Sequence, residues 1–219
     1  MQIFIVTIDL RAARGASVHV APSGDDPDGP QGKWQTRLDQ TSDVAAREGF
    51  EVAVNGDFFN VGQDVDPDTG KKRGYSENMP ALVIGPAMSD GRTWARSEKP
   101  RPALVVMRDG RARVQTINAP PDGARQVIAG SHVLVERGKK VVETQSKFST
   151  TRHPRTAVGV SDGGRKLILV VVDGRKPERS VGMSLDELAD LMLQLGCDDA
   201  LNHGPAERAL VAGVGDSAV

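Results

Sequence analysis

The sequence predicts an α+β fold: a largely antiparallel sheet with two main helices packed on it, forming a single domain over residues 1–219. Three observations predict it. Val- and Ile-rich runs recur about every 8 to 12 residues with Asp-Gly or Arg-Gly turns between them, the pattern of antiparallel pairing rather than βαβ alternation. Only two windows carry a helical period. No linker or fixed-period repeat divides the 219 residues. Hydrophobic residues make up 38% and aromatics only 4%, so the core rests on Val, Leu, Ile and Ala.

The first element is MQIFIVTIDL, which alternates as a strand, with Ile3, Ile5, Thr7 and Asp9 on one side and Phe4, Val6, Ile8 and Leu10 on the other;. It has neither the basic n-region nor the small-residue cleavage site of a secretory leader. The chain therefore reads as cytoplasmic as written, and as secreted or periplasmic if a leader was removed ahead of it. Residues 22–33 (PSGDDPDGPQGK) are a polar loop;. Residues 35–48 predict the first helix, ending at Gly49, with Leu38, Val44 and Ala45 on one face;. Phe50 to Val54 is a short strand that runs into Asn55-Gly56-Asp57-Phe58-Phe59-Asn60. Residues 61–79, carrying the only tyrosine, Tyr75, form a loop long enough to be functional;.

Strands follow at 81–85 (ALVIG), 101–107 (RPALVVM, closed by Asp109-Gly110), 111–117, 127–135 (VIAGSHVLV, closed by Arg137-Gly138) and 140–144. After a polar stretch, 145–153, the runs 156–160 and 166–172 form a hairpin through Asp162-Gly163-Gly164;. The continuous apolar run 167–172 predicts a central strand covered on both faces. The second helix is Leu185 to Leu195. Ser184 is its N-cap, Glu187 completes a capping box, and Gly196 takes C′; Leu185, Leu188, Leu191, Met192 and Leu195 form its apolar stripe;. Residues 198–202 return to the sheet.

The charge balance, 28 Lys plus Arg against 29 Asp plus Glu, gives no long-range attraction for nucleic acid or an anionic membrane;. Any phosphate recognition must then be local. No run reaches the roughly 18 apolar residues of a membrane span. The one cysteine, Cys197, excludes an internal disulfide and reads as a buried, inert thiol;. Oligomeric state is not readable.

Polar residues stand at four strand ends, where loops carry function on a rigid scaffold. In Asn55-Gly56-Asp57, Gly56 allows close backbone approach or positive φ, while Asn55 and Asp57 either bind a ligand or cap their own turn. In His153-Pro154-Arg155-Thr156, Pro154 stiffens the chain ahead of Arg155, which can grip a phosphate with two parallel hydrogen bonds. Asp173-Gly174-Arg175 offers an acid, base or nucleophile that Arg175 could hold ionised. Asn202-His203 closes the set. The templates HExxH, CxxC, P-loop, GxGxxG and GxSxG are absent, and the four histidines are scattered;. No cofactor and no metal ligand set is read, with a divalent cation left open.

The segments VNGDFFN (54–60), VIAGSHVLVERGK (127–139), PRTAVGVSDGGRKLILVVVDGR (154–175) and VGMSLDELADLMLQLGCDDALN (181–202), in this order, resemble the phosphodiester glycosidase family. That family includes the enzyme that uncovers mannose 6-phosphate by removing N-acetylglucosamine, and bacterial exopolysaccharide-associated relatives. The resemblance implies hydrolysis, or transfer, of a sugar 1-phosphodiester at the anomeric carbon, on a small-molecule or glycan substrate. It implies Asp57 and Asp173 as catalytic carboxylates and Asn55, Gly56, Arg155, Thr156, Arg175, Asn202 and His203 as substrate-binding residues. The family continues after Ala200-Leu201-Asn202 with Leu-Asp-Gly-Gly-Gly-Ser, whereas this chain reads His203-Gly204-Pro205-Ala206-Glu207-Arg208. That departure opens a second expectation, a catalytically weakened relative that binds sugar phosphates or glycan.

Overall fold

A computed structural model describes residues 1–11, 16–29, 32–61, 68–70, 76–143, 145–204 and 210–216. The chain runs through β1 (Ile3–Asp9), β2 (Ala16–Ala21), β3 (Thr36–Arg37), helix α1 (Thr41–Glu48), β4 (Val52–Gly56), β5 (Phe59–Val61), β6 (Pro80–Val83), β7 (Ala87–Ser89) and β8 (Arg92–Ala95). It continues through β9 (Arg101–Met107), β10 (Ala112–Ile117), β11 (Ala124–Ala129), β12 (His132–Glu136), β13 (Lys139–Lys140), the single turn α2 (Lys147–Thr150), β14 (Arg155–Ser161) and β15 (Lys166–Val172). Helix α3 (Leu185–Gln194), β16 (Asp199–Gly204) and β17 (Leu210–Asp216) complete it. The fold is α+β and the pairings are antiparallel, as the sequence predicts. The strands divide among sheets ordered β1-β15-β14-β16-β12-β13, β10-β9-β11-β7-β8, β2-β17-β4 and β3-β6-β5.

The predicted hairpin is the centre of the largest sheet. β14 and β15 pair without a slip from Arg155–Val172 to Ser161–Lys166. Asp162, Gly163 and Gly164 all take positive φ in the turn, and a Cβ on Gly164 would overlap the Ala112 carbonyl, which is why this turn is glycine-rich;. β15 lies between β1 and β14, and its alternate residues feed two cores. Leu167 and Leu169 pack with Leu104 and Ile128. Ile168, Val170 and Val172 pack beneath α3 with Leu185, Leu188 and Met192. Each such buried side chain contributes about 1.5–3 kcal/mol.

Helix α3 begins as its capping box requires. Glu187 N–H donates to Ser184 Oγ (3.2 Å) and Ser184 N–H to Glu187 Oε2 (2.9 Å), an arrangement worth about 1 kcal/mol;. Its far end meets the sheet over Gly159, where a Cβ would overlap Cys197 Sγ. Cys197 is buried, and that burial pushes its thiol up to about 12, so it is inert as read;.

Four expectations are corrected. The strand predicted over 140–144 does not form: β13 ends at Lys140, and residues 141–143 are irregular. The helix predicted over 35–48 is only α1, because Thr36 and Arg37 pair with β6 and the Leu38 N–H donates to the Met79 carbonyl. Leu38 is buried from an extended backbone, not from a helical face. The predicted stop is right, since Gly49 takes the left-handed conformation at φ 71°;. The run 127–135 is two strands in different sheets, broken at Gly130-Ser131. A Cβ on Gly130 would overlap the Asn202 carbonyl, so the chain crosses between sheets at the one residue thin enough to pass. The polar stretch 145–153 contains α2, whose Ser146 cap accepts from Ser149 N–H. Tyr75, Thr144 and the loop residues Pro205 to Arg208 lie outside the described residues. Among those described, no helix is long and apolar enough to cross a membrane.

Candidate functional site

One rim of the six-stranded sheet gathers most of the residues singled out in the sequence. There β14 begins, β15 and β16 end, and β12 begins. Arg155 is paired with Val172, which precedes Asp173; Thr156 is paired with Gly204, and Asn202 with His132. The neighbouring β4 ends at the same rim, where Thr156 Oγ1 donates to Asn55 Oδ1 at 2.6 Å, both residues buried. A register shift between Thr156 and Ala157 inserts one extra residue in β16 at Asn202–Gly204. Such irregularities re-aim side chains at the edge of a sheet.

On the face toward β4 and β11 lie Asn55, Gly56, Asp57, Thr156 and His203. Gly56 is needed for close approach, not for positive φ: a Cβ there would overlap Ile128 Cδ1 and stand 2.9 Å from His203 Nδ1;. Asp57 takes positive φ (57°), and its N–H donates to the Ala129 carbonyl at 3.0 Å. Its carboxyl accepts from Phe58 N–H (2.6 Å) and Gly85 N–H (3.0 Å). Burial outweighs those two donors and the charge of Arg101, and raises the Asp57 carboxyl to about 7;. That places it where a group can both give and take a proton at neutral pH. Asp57 also lines a narrow cleft, with room for about one water molecule, beside the buried hydroxyls of Ser23 and Thr36;. His203 Nδ1 lies 3.0 Å from the same Ala129 carbonyl and donates to it, leaving Nε2 buried without a partner;. Burial holds its pKa down to about 4, so the ring is neutral.

On the opposite face, toward α2 and α3, lie Arg155 and Asn202. Arg155 is completely buried, and its fork is turned onto backbone carbonyls. Nε donates to Met183 O (3.0 Å), and Nη2 to Phe148 O (2.7 Å) and Thr151 O (3.0 Å). The guanidinium lies 4.5 Å from the Phe148 ring centre, and Nη1 is buried without a partner. The two-pronged phosphate grip expected of Arg155 is thus reduced to one free edge. Burial without a counter-charge lowers its pKa to about 10;. Asn202 Nδ2 donates to Ser131 Oγ at 2.8 Å, and its Oδ1 is buried and unpartnered.

Asp173 and Arg175 sit at the outer edge of this rim. Asp173 Oδ1 accepts from Gly174 N–H (3.1 Å), and among the described residues the cation within ion-pair reach is Lys176 (3.5 Å from Oδ2) rather than the expected Arg175. Arg175 is exposed and takes positive φ, 58°. A Cβ on Gly174 would stand 2.5 Å from Pro154 N, so the Asp-Gly turn seats against the start of β14. The two candidate carboxylates therefore differ in kind. Asp57 is buried and near neutrality, whereas Asp173 is partly exposed in a salt bridge.

Four residues at the rim had no site signal in the sequence. Phe148 links the two faces: it meets Phe58 edge-on (6.2 Å) and stacks with His132 (5.4 Å) and His153 (6.3 Å). His132 Nδ1 is buried without a partner. Phe58 in turn packs where a Cβ on Gly204 would stand, 3.3 Å away. Gly85 holds Asp57 and has no room for a side chain against Ala129. Among the described residues, no three His, Cys, Asp or Glu side chains gather in a set that could hold a metal ion.

The chain has relatives by family and by fold. A family model described as phosphodiester glycosidase matches residues 48–203. No curated protein matches the chain. Among solved structures, the chain is similar to the zebrafish N-acetylglucosamine-1-phosphodiester alpha-N-acetylglucosaminidase catalytic domain, auto-inhibited by its pro-peptide. That match has TM-score 0.63 at 19% identity and covers 98% of this chain and 83% of that one. A protein from Burkholderia pseudomallei K96243 matches with TM-score 0.71 at 16% identity, over 97% and 73% of the two chains. A hypothetical protein from Synechocystis matches with TM-score 0.60 at 15% identity, over 97% of this chain and 58% of that one. At these identities the structural likeness is one of fold.

Proposed function

The chain belongs to the phosphodiester glycosidase family, and on that premise we propose that it hydrolyses glycosyl 1-phosphodiesters at the anomeric carbon. The observation that carries the reading is Arg155: a buried guanidinium with no carboxylate in reach among the described residues and one N–H edge unused. An ion buried alone costs several kcal/mol, and a bound phosphodiester would supply the missing charge. Asn202 Oδ1 would accept from a sugar hydroxyl on the same face;.

Asp57 is the acid/base in this reading, acting from the other face of the rim on a substrate that would reach over the Phe58–Phe148 contact from the phosphate at Arg155. It takes a proton from the water whose oxygen forms the new bond to C1. The bond between C1 and the bridging oxygen breaks, and its electron pair leaves on that oxygen, which stays on the phosphomonoester, a good leaving group that needs little protonation. Asn55 and Thr156, bonded to each other, brace the turn that presents Asp57, and Gly56 lets that turn approach His203. Asp173 and Arg175 contribute to binding at the outer rim. A second reading, a weakened relative that binds sugar phosphate without turning it over, is favoured by Gly204, which stands where the family carries aspartate.

Turnover in ¹⁸O-labelled water tests the first reading. Label in the released sugar, with none in the phosphomonoester, is the expected result. Label in the phosphate would mean P–O cleavage and would overturn glycosidase chemistry. Ligand binding with no product of either kind would establish the second reading.

A further inference from the structure

Three buried polar atoms on the helix-facing side of the rim have no partner, and one of them, His132 Nδ1, has no role in the chemistry above. His132 stands directly opposite Asn202 on the neighbouring strand, so both side chains leave the sheet on the same face, with Cβ atoms about 5 Å apart;. Asn202 is also paired with Ala157, two residues along β14 from Arg155, so Arg155 leaves the sheet on the same face;.

The side chains are held in place. The Ser131 hydroxyl donates to the Asn202 carbonyl (3.4 Å) and therefore accepts from Asn202 Nδ2, which fixes the amide and leaves Oδ1 free;. Phe148 carries the His132 ring on one contact (5.4 Å, 20° between planes) and the Arg155 guanidinium on another (4.5 Å). One aromatic ring thus fixes the spacing between a cation and a neutral polar pair. Burial, then the charge of Arg155, push the His132 pKa down against the pull of Glu143, a net shift that favours the uncharged ring. A bare phosphate would use only the Arg155 edge. A phosphate joined to a hydroxyl- or acetamido-bearing ring would use all three atoms.

We propose that His132 is a specificity-determining residue: with Asn202 Oδ1, its Nδ1 receives a hydroxyl or acetamido group of the sugar whose phosphate lies against Arg155. The inference rests on the reading of this rim as a glycosyl phosphodiester site. A purely structural His132 would need only the stack on Phe148, which phenylalanine makes equally well.

Calorimetric titration of the whole chain with α-D-glucose 1-phosphate and with inorganic phosphate separates the possibilities. The wild type should prefer the sugar phosphate. His132→Phe should lose about tenfold of that preference, the worth of one hydrogen bond to a neutral group, while binding inorganic phosphate as before and melting at the same or a higher temperature. His132→Asn, which keeps a polar atom near the Nδ1 position, should recover part of the preference. If His132→Phe keeps the wild-type preference, or loses both ligands equally while melting lower, the inference is overturned and the site reading stands. If the wild type binds neither ligand, or binds both equally, the site reading falls and the inference falls with it.

Discussion

Arg155→Lys keeps a positive charge in the same pocket and removes the planar fork. In the native protein Nε serves Met183 O while Nη2 serves both Phe148 O and Thr151 O, at 2.7–3.0 Å. Those carbonyls belong to different segments on either side of β14, and one ammonium group cannot reach both sets. At least one buried carbonyl loses its donor, at about 1–3 kcal/mol, and the stack on Phe148 at 4.5 Å is weakened by about 1 kcal/mol;. The total is about 2–4 kcal/mol, or a fall in melting temperature of about 4–16 °C for a domain of this size. Scanning calorimetry reads the stability. Limited trypsin digestion reads the cause, because Lys147 and Arg152 lie in the segment 147–152, α2 and its end, a strap that Arg155 holds through Phe148 O and Thr151 O, and should be cut sooner in the variant. Arg152→Lys is the control: its partner Glu187 is a surface carboxylate, and the melting temperature should not move;. A loss below about 0.5 kcal/mol in Arg155→Lys, with unchanged cleavage, would refute the assignment of the fork to the strap.

His203 and Asp57 give the protein opposite pH responses. His203 titrates near 4 in the fold against 6.5 for the free side chain, so the unfolded chain takes the proton first. Its contribution is present above pH 6.5 and lost as the pH falls to 4, by at most about 3 kcal/mol, and His203→Leu should flatten that limb in urea unfolding. Asp57 titrates near 7 against 3.8, so its contribution is full below pH 3.8 and lost as the pH rises to 7. Asp57→Asn should therefore gain stability relative to the wild type across that window, and a constant difference would contradict the raised pKa. Gly130→Ala forces a methyl into the Asn202 carbonyl at the crossing between two sheets and should cost about 1–3 kcal/mol or more by chemical denaturation; a neutral substitution would mean that the crossing can spread;.

Local chemistry was legible in the sequence wherever the partners are near in the chain. Ser184 and Glu187 are three residues apart, and their capping box formed as read; so did the Asp162-Gly163-Gly164 hairpin and the stop at Gly49. Strand ends bearing Asn55, Asp57, Arg155 and Asn202 were recognised, and they share one rim, the first two on one face of the sheet and the last two on the other. What was hidden depends on distant partners. Residues 35–40 have an amphipathic pattern, yet pairing with β6 some forty residues later draws them into extended backbone. The apolar run 127–135 gives no sign that Gly130 must thread past Asn202. Arg155 reads as a ligand-binding arginine until three carbonyls claim most of its fork. Phe148 lay in a stretch read as polar, and His132 in the middle of a run read as one strand, so neither carried a signal for the rim.

The account turns on Asp57, not Asp173, doing proton transfer for a glycosyl phosphodiester. Steady-state turnover of a sugar 1-phosphodiester by Asp57→Asn and Asp173→Asn, beside the wild type, compares the two directly. Asp57→Asn should lower kcat/KM by about 10²–10⁴, the usual contribution of a general acid or base. Asp173→Asn, which weakens a partly exposed pair with Lys176 at 3.5 Å, should stay within about fivefold of the wild type;. Turnover that survives Asp57→Asn and collapses in Asp173→Asn would contradict it.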